Sequence, residues 1–330
     1  MINAAIIGSG IGLKHLEAID GYKSAKVKMI CESNLKKIKK LRKKFPKIEI
    51  TDKEEDIFKN KEINLVSIAS HDQDHFRQIM KCIENKKHMI VEKPFCLTKS
   101  EFQMIKKNLE NNKNLKFMCN LVLRVNSLFK KIRLLVKYKN VFYIESDYIW
   151  GRKYKLFGWR SKTKNYSLTL GAAIHVIDLV MWFVGKKPIS VQSFGNNIAT
   201  KNSKFKKKSF IIYILKFPGN LLVKITANAG GIYNHFHELK VFLKDKTIIN
   251  APSAKVIYKM KKNKKISKII MKNEYPDKSN RKKLIRNLID QIKLKNIKSF
   301  LSRKEQFDLM NVCFAADKSL KTGKQVIIKY

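Results

Sequence analysis

Three glycines fall within five residues at Gly8-Ser9-Gly10-Ile11-Gly12, directly after the apolar run Ile2 to Ile7. Glycine lets the backbone turn sharply and approach a bound group closely. A helix starting just beyond would offer free N–H groups and the positive end of its dipole to a phosphate. The usual dinucleotide fingerprint is G-x-G-x-x-G, and Gly8, Gly10 and Gly12 give G-x-G-x-G, one residue short. Glu32 lies 24 residues after Gly8, at the end of the next apolar run. A carboxylate there can accept from ribose hydroxyls and repel a ribose 2′-phosphate. These residues therefore suit a dinucleotide, with the pyrophosphate over Gly8, Gly10, Ile11 and Gly12 and a ribose at Glu32. NAD is the expected cofactor. Lys36 and Lys37 are close enough in sequence to reach a 2′-phosphate, so NADP stays open.

The elements that must position this turn alternate in type. Short apolar runs at residues 2–7, 26–32, 64–69, 88–91 and 115–119 read as strands. Amphipathic stretches at 13–20, 35–45, 74–84 and 100–111 read as helices. In the lysine-rich stretch 36–44, Leu35, Ile38, Leu41 and Phe45 recur near helical period, which puts the lysines on a solvated face. Such alternation implies a doubly wound parallel sheet of Rossmann type. Beyond it, runs at 141–150, 189–194, 210–217, 221–227 and 238–243 are short, β-branched or aromatic and closely spaced, and Pro218-Gly219-Asn220 is a hairpin signal. A helix is expected within 168–184, and others at 281–294 and 302–321. At ~100–200 residues per domain, 330 residues make two domains. The boundary is expected near residue 122, with a dinucleotide-binding domain over 1–122 and a substrate-binding and oligomerisation α/β domain over 123–330.

Composition sets limits. Apolar residues are 44% of the chain, which excludes wholesale disorder, and no apolar run approaches the ~20 residues that span a bilayer. The N-terminus lacks a basic start before its apolar run, so a signal peptide is not expected. Five scattered cysteines without C-x-x-C spacing argue against a disulfide frame or a zinc site and for a reducing, cytoplasmic setting. No metal is expected. The net charge of +45 comes from 71 basic and 26 acidic residues. Only nine of the 71 are Arg, and the lysines run along the whole chain. That pattern reads as a solvated basic surface able to attract anions, not as a specific nucleic-acid site.

Further motifs occur in order along the chain. Glu92-Lys93-Pro94 follows a strand, with Phe95-Cys96-Leu97-Thr98 after it. Ala69 to His75 reads A-S-H-D-Q-D-H. Leu123-Arg124 leads to Phe129, Trp159-Arg160 precedes His175-Val176-Ile177-Asp178, and a C-terminal helix ends before Gly323. This set resembles the Gfo/Idh/MocA family of NAD(P)-dependent oxidoreductases. Ser70 and His71 stand for Thr and Pro of its A-T-P-N-x-x-H segment, and Ser127 for the Pro of its R-F-x-P-x-F stretch. The resemblance implies a nicotinamide-binding domain followed by an α/β domain with a large, mostly antiparallel sheet. It also implies a carbohydrate-type substrate and a homo-oligomer, dimer or tetramer. It adds Ala69, Ser70, His71, His75, Glu92, Lys93, Trp159 and Arg160 to the cofactor site, and Lys93, Arg124, His175 and Asp178 to the substrate site.

Hydride transfer from an alcohol needs a base for the hydroxyl proton and a cation for the developing oxyanion. Lys93 fits the second role, and the family places a catalytic lysine at this position. His175 is the candidate proton carrier, with Asp178 three residues on along nearly the same helix face. Many family members carry an aspartate four residues before this histidine; here that position is Gly171. Tyr166, Asp147 and Tyr148 could supply a polar group instead. The expected function is hydride transfer between NAD(P) and a sugar, inositol or nucleotide sugar. The alternative is a catalytically silent dinucleotide-binding sensor of the same fold.

Overall fold

In the computed structural model, residues 1–330 are described except 262, 273, 274, 276–279 and 295. The chain divides into two compact units, Met1–Val125 with Lys278–Gln306, and Asn126–Asp277 with Phe307–Tyr330.

The first unit alternates strands and helices: β1 Ile2–Ile7, α1 Gly12–Asp20, β2 Ala25–Cys31, α2 Leu35–Lys44, β3 Glu49–Thr51, α3 Glu54–Lys59, β4 Leu65–Ile68, α4 His75–Glu84, β5 His88–Val91, α5 Lys99–Asn111 and β6 Phe117–Cys119. The strands pair in parallel in the order β3-β2-β1-β4-β5-β6. The order reverses direction between β1 and β4, and loops leaving the C-terminal ends of such strands are where open α/β sheets bind ligands. All four residues of β4 are buried, as expected for a strand covered on both faces. In α2 only Ile38 and Leu41 are buried, and the Asn34 side chain caps the helix by accepting from Lys37 N at 3.1 Å. Thr98 and Glu101 form a capping box at the start of α5. Glu54, Glu55 and Asp56 fill the first turn of α3, where acidic side chains suit the helix N-terminus.

The second unit holds α6 Ser127–Leu135, β7 Val141–Ile149, α7 Trp159–Lys162, α8 Ile174–Val184 and strands β8 Ser190–Asn196, β9 Phe210–Lys216, β10 Leu222–Asn228, β11 Phe236–Leu243, β12 Lys246–Ala251, β13 Ala254–Met260 and β14 Ile266–Ile270. The later elements are α9 Asn280–Lys293, α10 Arg303–Thr322 and β15 Val326–Ile327. Nine strands make one sheet, β14-β13-β12-β11-β7-β10-β9-β8-β15, antiparallel at every pairing except β7 with β10. The Pro218–Asn220 turn joins β9 to β10, with φ +66° at Gly219 and +61° at Asn220.

One expectation is corrected. The second domain is not contiguous from residue 123: α9 packs in the first unit, where Leu284, Ile285, Leu288 and Ile289 share a core with Leu16 and Ile19 of α1. The Tyr22 hydroxyl donates to Asp290 at 2.6 Å across the same contact. The expected helix over 168–184 also begins differently, as a π-helical turn over Thr169–Ala173 that runs into α8. All five cysteines are buried and unbridged. Among the described residues no helix is long and apolar enough to cross a membrane.

Candidate functional site

In the first unit the glycine turn sits between β1 and α1. Gly8 has φ +91°, and a Cβ there would lie 2.6 Å from the Ala69 carbonyl oxygen and 2.9 Å from Ser70 Cα. A Cβ on Gly12 would meet Ile6 Cγ2 at 2.7 Å. Both glycines are therefore required by close packing of the turn on β4 and β1. Gly10 differs: a Cβ there would have nothing within 4 Å, so its backbone faces open space. Ile11, exposed at the start of α1, provides no side-chain cap to that helix end. A tight turn, an open glycine and an uncapped helix start together fit a dinucleotide pyrophosphate.

Glu32 follows β2 and is almost fully buried. Its Oε2 accepts from Ser9 N at 3.1 Å, from the Ser9 hydroxyl and from Lys37 Nζ at 3.4 Å, while Oε1 accepts from Asn34 N at 3.0 Å. Burial alone would raise this carboxyl. The hydrogen bonds from Ser9 and Asn34 and the Lys37 charge outweigh it and hold it below the usual range. Glu32 is thus a fixed anion that also pins the glycine turn, and Oε1 keeps acceptor capacity for a ribose hydroxyl.

Glu92 and Lys93 leave β5, and the Lys93-Pro94 bond is cis. Glu92 does not stand free beside Lys93. Its Oε1 accepts from Asn120 Nδ2 at 2.6 Å and from His15 Nε2 at 3.0 Å, and His15 Nδ1 lies 2.7 Å from the Ser67 hydroxyl. The Glu92 contact needs a proton on His15 Nε2, which donates to the carboxylate, while the Ser67 hydroxyl can donate to or accept from Nδ1. Burial would raise the Glu92 carboxyl. The hydrogen bond and field of His15, then Arg281 and the Asn120 hydrogen bond, hold it well below the usual carboxylate range. The backbone that presents Lys93, itself half-buried, is anchored by this network. His15, Ser67 and Asn120 were not legible from local sequence, because the network joins α1, β4 and the end of β6.

Two expected site residues also have structural partners. His75 is fully buried, with Nδ1 2.7 Å from the Pro94 carbonyl and Nε2 3.3 Å from the Ser70 carbonyl. It ties the loop after β4 to the loop after β5, which is a positioning role. Arg124, 3% exposed, is ion-paired with Glu305, which ties its guanidinium into the first unit. His71 is exposed in the loop after β4, and Ser70 donates to Gln78 Oε1 at 2.6 Å.

In the second unit α8 brings His175 to Tyr148 of β7: the rings stack with centroids 6.1 Å apart and planes 6° apart. His237 of β11 lies edge-on to both, 4.9 Å from Tyr148 and 5.9 Å from His175. His235 adds a third imidazole, 5.4 Å from Tyr148. Burial, then the Arg152 charge, lower His235 to about 4 against the pull of two backbone carbonyls. It is neutral at physiological pH. Among the described residues no three His, Cys, Asp or Glu side chains form a metal-ion site. His235 and His237 were missed in the sequence, although their i, i+2 spacing at a strand start puts both on one face. Asp178 is buried on α8, and Asp147 accepts from Thr226 on the sheet. Trp159 and Arg160 open α7, with the guanidinium 4.2 Å from the Trp159 ring centre.

The Gly171 position is filled. A Cβ there would lie 2.2 Å from the Tyr166 hydroxyl oxygen. Tyr166 is 3% exposed and packs edge-on against Trp159 and Phe205. The turn that carries Gly171 is held from below. Thr169 donates to Asp317 and lies 2.9 Å from the Tyr213 hydroxyl.

Burial pushes Asp317 up to about 6 despite hydrogen bonds from Thr169 and Ser167. Because the folded protein holds this proton more tightly than the unfolded chain, stability is greatest at low pH and falls as pH rises from about 4 to about 6. Asp317→Asn removes that loss. Its unfolding free energy relative to wild type is expected to rise by about 2 kcal/mol between pH 4 and pH 7. Parallel stability–pH curves for the two proteins would contradict the assignment.

Comparison with known proteins agrees with this geometry. Residues 2–120 match the GFO_IDH_MocA oxidoreductase family, NAD-binding Rossmann fold, and residues 137–305 match its C-terminal alpha/beta domain. The chain belongs to the Gfo/Idh/MocA oxidoreductase family, and its first unit carries the family's NAD-binding Rossmann domain. Myo-inositol 2-dehydrogenase from Lactobacillus plantarum superposes with a TM-score of 0.85 at 14% identity over 99% of both chains. Scyllo-inositol dehydrogenase from Lactobacillus casei, solved with NAD(H) and scyllo-inositol, gives 0.78 at 18% identity over 99% of both chains. At these identities the likeness is one of fold. The 2,7-anhydro-N-acetylneuraminate hydratase of Escherichia coli K12 is 25% identical over 181 residues, 53% of this chain and 48% of the hydratase. The chain thus matches about half the length of that curated relative.

Proposed function

We propose that the protein transfers a hydride between NAD and a carbinol or carbonyl carbon of a sugar, inositol or nucleotide sugar. The observation that carries this reading lies in the first unit. The C-terminal ends of β1, β4 and β5, at the reversal of strand order, present the glycine turn, Ala69-Ser70 and Glu92-Lys93 along one edge of the sheet. The inositol dehydrogenases of the same fold support the substrate class.

Bound NAD supplies the hydride acceptor, and the chain's own residues do the rest. Glu32 and the glycine turn hold the dinucleotide, and the anionic Glu32 favours NAD over NADP. The Lys93 ammonium contacts the reacting oxygen and stabilises its negative charge as the C–H bond breaks. His175 takes the hydroxyl proton, its ring stacked on Tyr148. In the reverse direction His175 returns the proton and Lys93 polarises the carbonyl. The family's aspartate has no counterpart at Gly171, so Lys93 and His175 carry the proton and charge chemistry without it.

The test is a screen for NADH formation from polyols and nucleotide sugars, and for NADH consumption by the matching ketones. Turnover with at least one such compound, with NAD preferred to NADP, is expected. Firm NAD binding without turnover in either direction across the panel would favour the silent sensor.

A further inference from the structure

Arginine is scarce here, nine of 71 basic residues, so a chain that uses lysine almost everywhere keeps arginine at few places. Most have evident structural uses. Arg77 and Arg124 pair with Glu54 and Glu305, Arg286 and Arg303 donate to backbone carbonyls, and Arg133 lies over the Trp182 ring. Arg160 shares these uses, over Trp159 and on the Lys155 carbonyl, whereas Arg152 leaves a buried Nε without a hydrogen-bond partner among the described residues. Both are half-buried, and they flank a short turn carrying Lys155.

The three cations form one group within the second unit. Arg160 lies 4.2 Å from the Trp159 ring centre and 5.3 Å from that of Trp150, and donates to the Lys155 carbonyl at 3.3 Å. Arg152 hydrogen-bonds the Tyr148 hydroxyl, while its Nε is buried without a hydrogen-bond partner among the described residues. Among the described residues no carboxylate pairs with any of the three. Burial, then the charges of Arg152 and Arg160, hold the Lys155 ammonium below its ordinary value. Crowding like charges in a half-buried place opposes folding, and an anion bound among them would offset it. The aromatic planes under Arg160 fix its guanidinium as a planar donor fork, the geometry that receives carboxylate or phosphate oxygens in pairs. The group adjoins the imidazole cluster through Tyr148, which stacks on His175.

We propose that Arg152 and Lys155, beside the Arg160 that the family resemblance gives to the cofactor, form a subsite for an oxyanion carried by the substrate, so that the preferred substrate is a sugar acid or a sugar phosphate. This rests on the reading of the substrate as sugar-type. It adds that neutral polyols are poor ligands. The two sources of the oxyanion share the chemistry of several acceptor oxygens on one anionic centre, and the experiment separates them.

The experiment is calorimetric titration of the full-length protein, saturated with NAD, by hexuronates, hexose 6-phosphates and the parent hexoses of gluco, galacto and manno configuration. At least one anionic series is expected to bind about tenfold or more tightly than its parent hexose, and to weaken as salt rises. Whether the uronates or the phosphates bind better identifies the group. Arg152→Gln is expected to abolish that discrimination while leaving NAD affinity within about twofold, and Arg152→Lys to restore part of it. Lys155→Gln is expected to act in the same direction, which guards against a folding defect in one variant. No anion preference in the wild type, no binding of either anionic series, or a loss of NAD affinity in Arg152→Gln in place of lost discrimination would each overturn the subsite. Binding and turnover separate the two readings. Anion-selective binding without hydride transfer would remove the oxidoreductase reading alone, and turnover of neutral polyols without anion preference would remove the subsite alone.

Discussion

Lys93→Ala is expected to lower kcat by about 10²–10⁴-fold while NAD affinity stays within about twofold of wild type. The expectation follows from where the residue stands. Lys93 leaves the end of β5 half-buried, between the anchored Glu92 and Pro94. Phe95 behind it is buried against Phe102 and Phe117. The lysine backbone is therefore fixed, and truncation of the side chain removes a charge without disturbing its support. A charge that meets an oxygen only as it becomes anionic contributes to the transition state and little to ground-state binding. Steady-state kinetics on the best substrate, with NAD affinity by fluorescence titration, checks both halves. A kcat equal to wild type would show that the lysine takes no part in the chemistry.

Gly171→Asp is expected to destabilise the protein by about 2–4 kcal/mol and to abolish turnover on the native substrate. A Cβ at this position would lie 2.2 Å from the Tyr166 hydroxyl oxygen and 2.6 Å from its Cζ. Tyr166 has little room to retreat, since Trp159 and Phe205 pack its ring with centroids 6.2 and 5.9 Å away. The clash lies in the turn that delivers His175, so strain there also displaces the candidate proton carrier. Gly171→Ala should destabilise in the same sense by a smaller amount. In the Gly171→Asp background, Tyr166→Ala should recover stability, because it removes the atoms that clash. The check is a double-mutant cycle of unfolding free energies with kcat/KM alongside. Additive effects of the two substitutions, or an undisturbed Gly171→Asp protein, would contradict the close approach of Tyr166. The tyrosine fills the space beside Gly171, so a carboxylate is not accommodated there by one substitution.

Much of the first unit could be read from local pattern. Gly8, Gly10 and Gly12 follow an apolar strand, and Glu32 comes one strand later, so the turn and the carboxylate that pins it were both visible at fixed spacing. The strand-helix alternation gave the parallel sheet for the same reason: each element states its own period. The polar network of His15, Ser67, Glu92 and Asn120 spans three strand ends and a helix, and spacing carries no trace of it. Arg124 was visible by its motif, while its partner Glu305 lies 181 residues away and only the fold reveals the ion pair. In the second unit β14 was hidden because Ile266–Ile270 is largely exposed and carries no alternating burial. Helix α9 was assigned to the wrong unit because no Gly, Pro or Ser-rich linker marks the crossing. Gly171 meets Tyr166 from within the π-helical turn Thr169–Ala173, which a helical period over 168–184 does not show.

Hydride transfer itself is tested most directly by isotope. The protein is incubated with NAD and the best substrate of the sugar, sugar-acid and sugar-phosphate series deuterated at its carbinol carbons, and the cofactor is recovered for mass spectrometry. The expected result is reduced cofactor carrying one deuterium from the wild type and no label above background from Lys93→Ala. Firmly bound NAD that acquires no deuterium from any polyol, sugar acid or nucleotide sugar would contradict the oxidoreductase assignment.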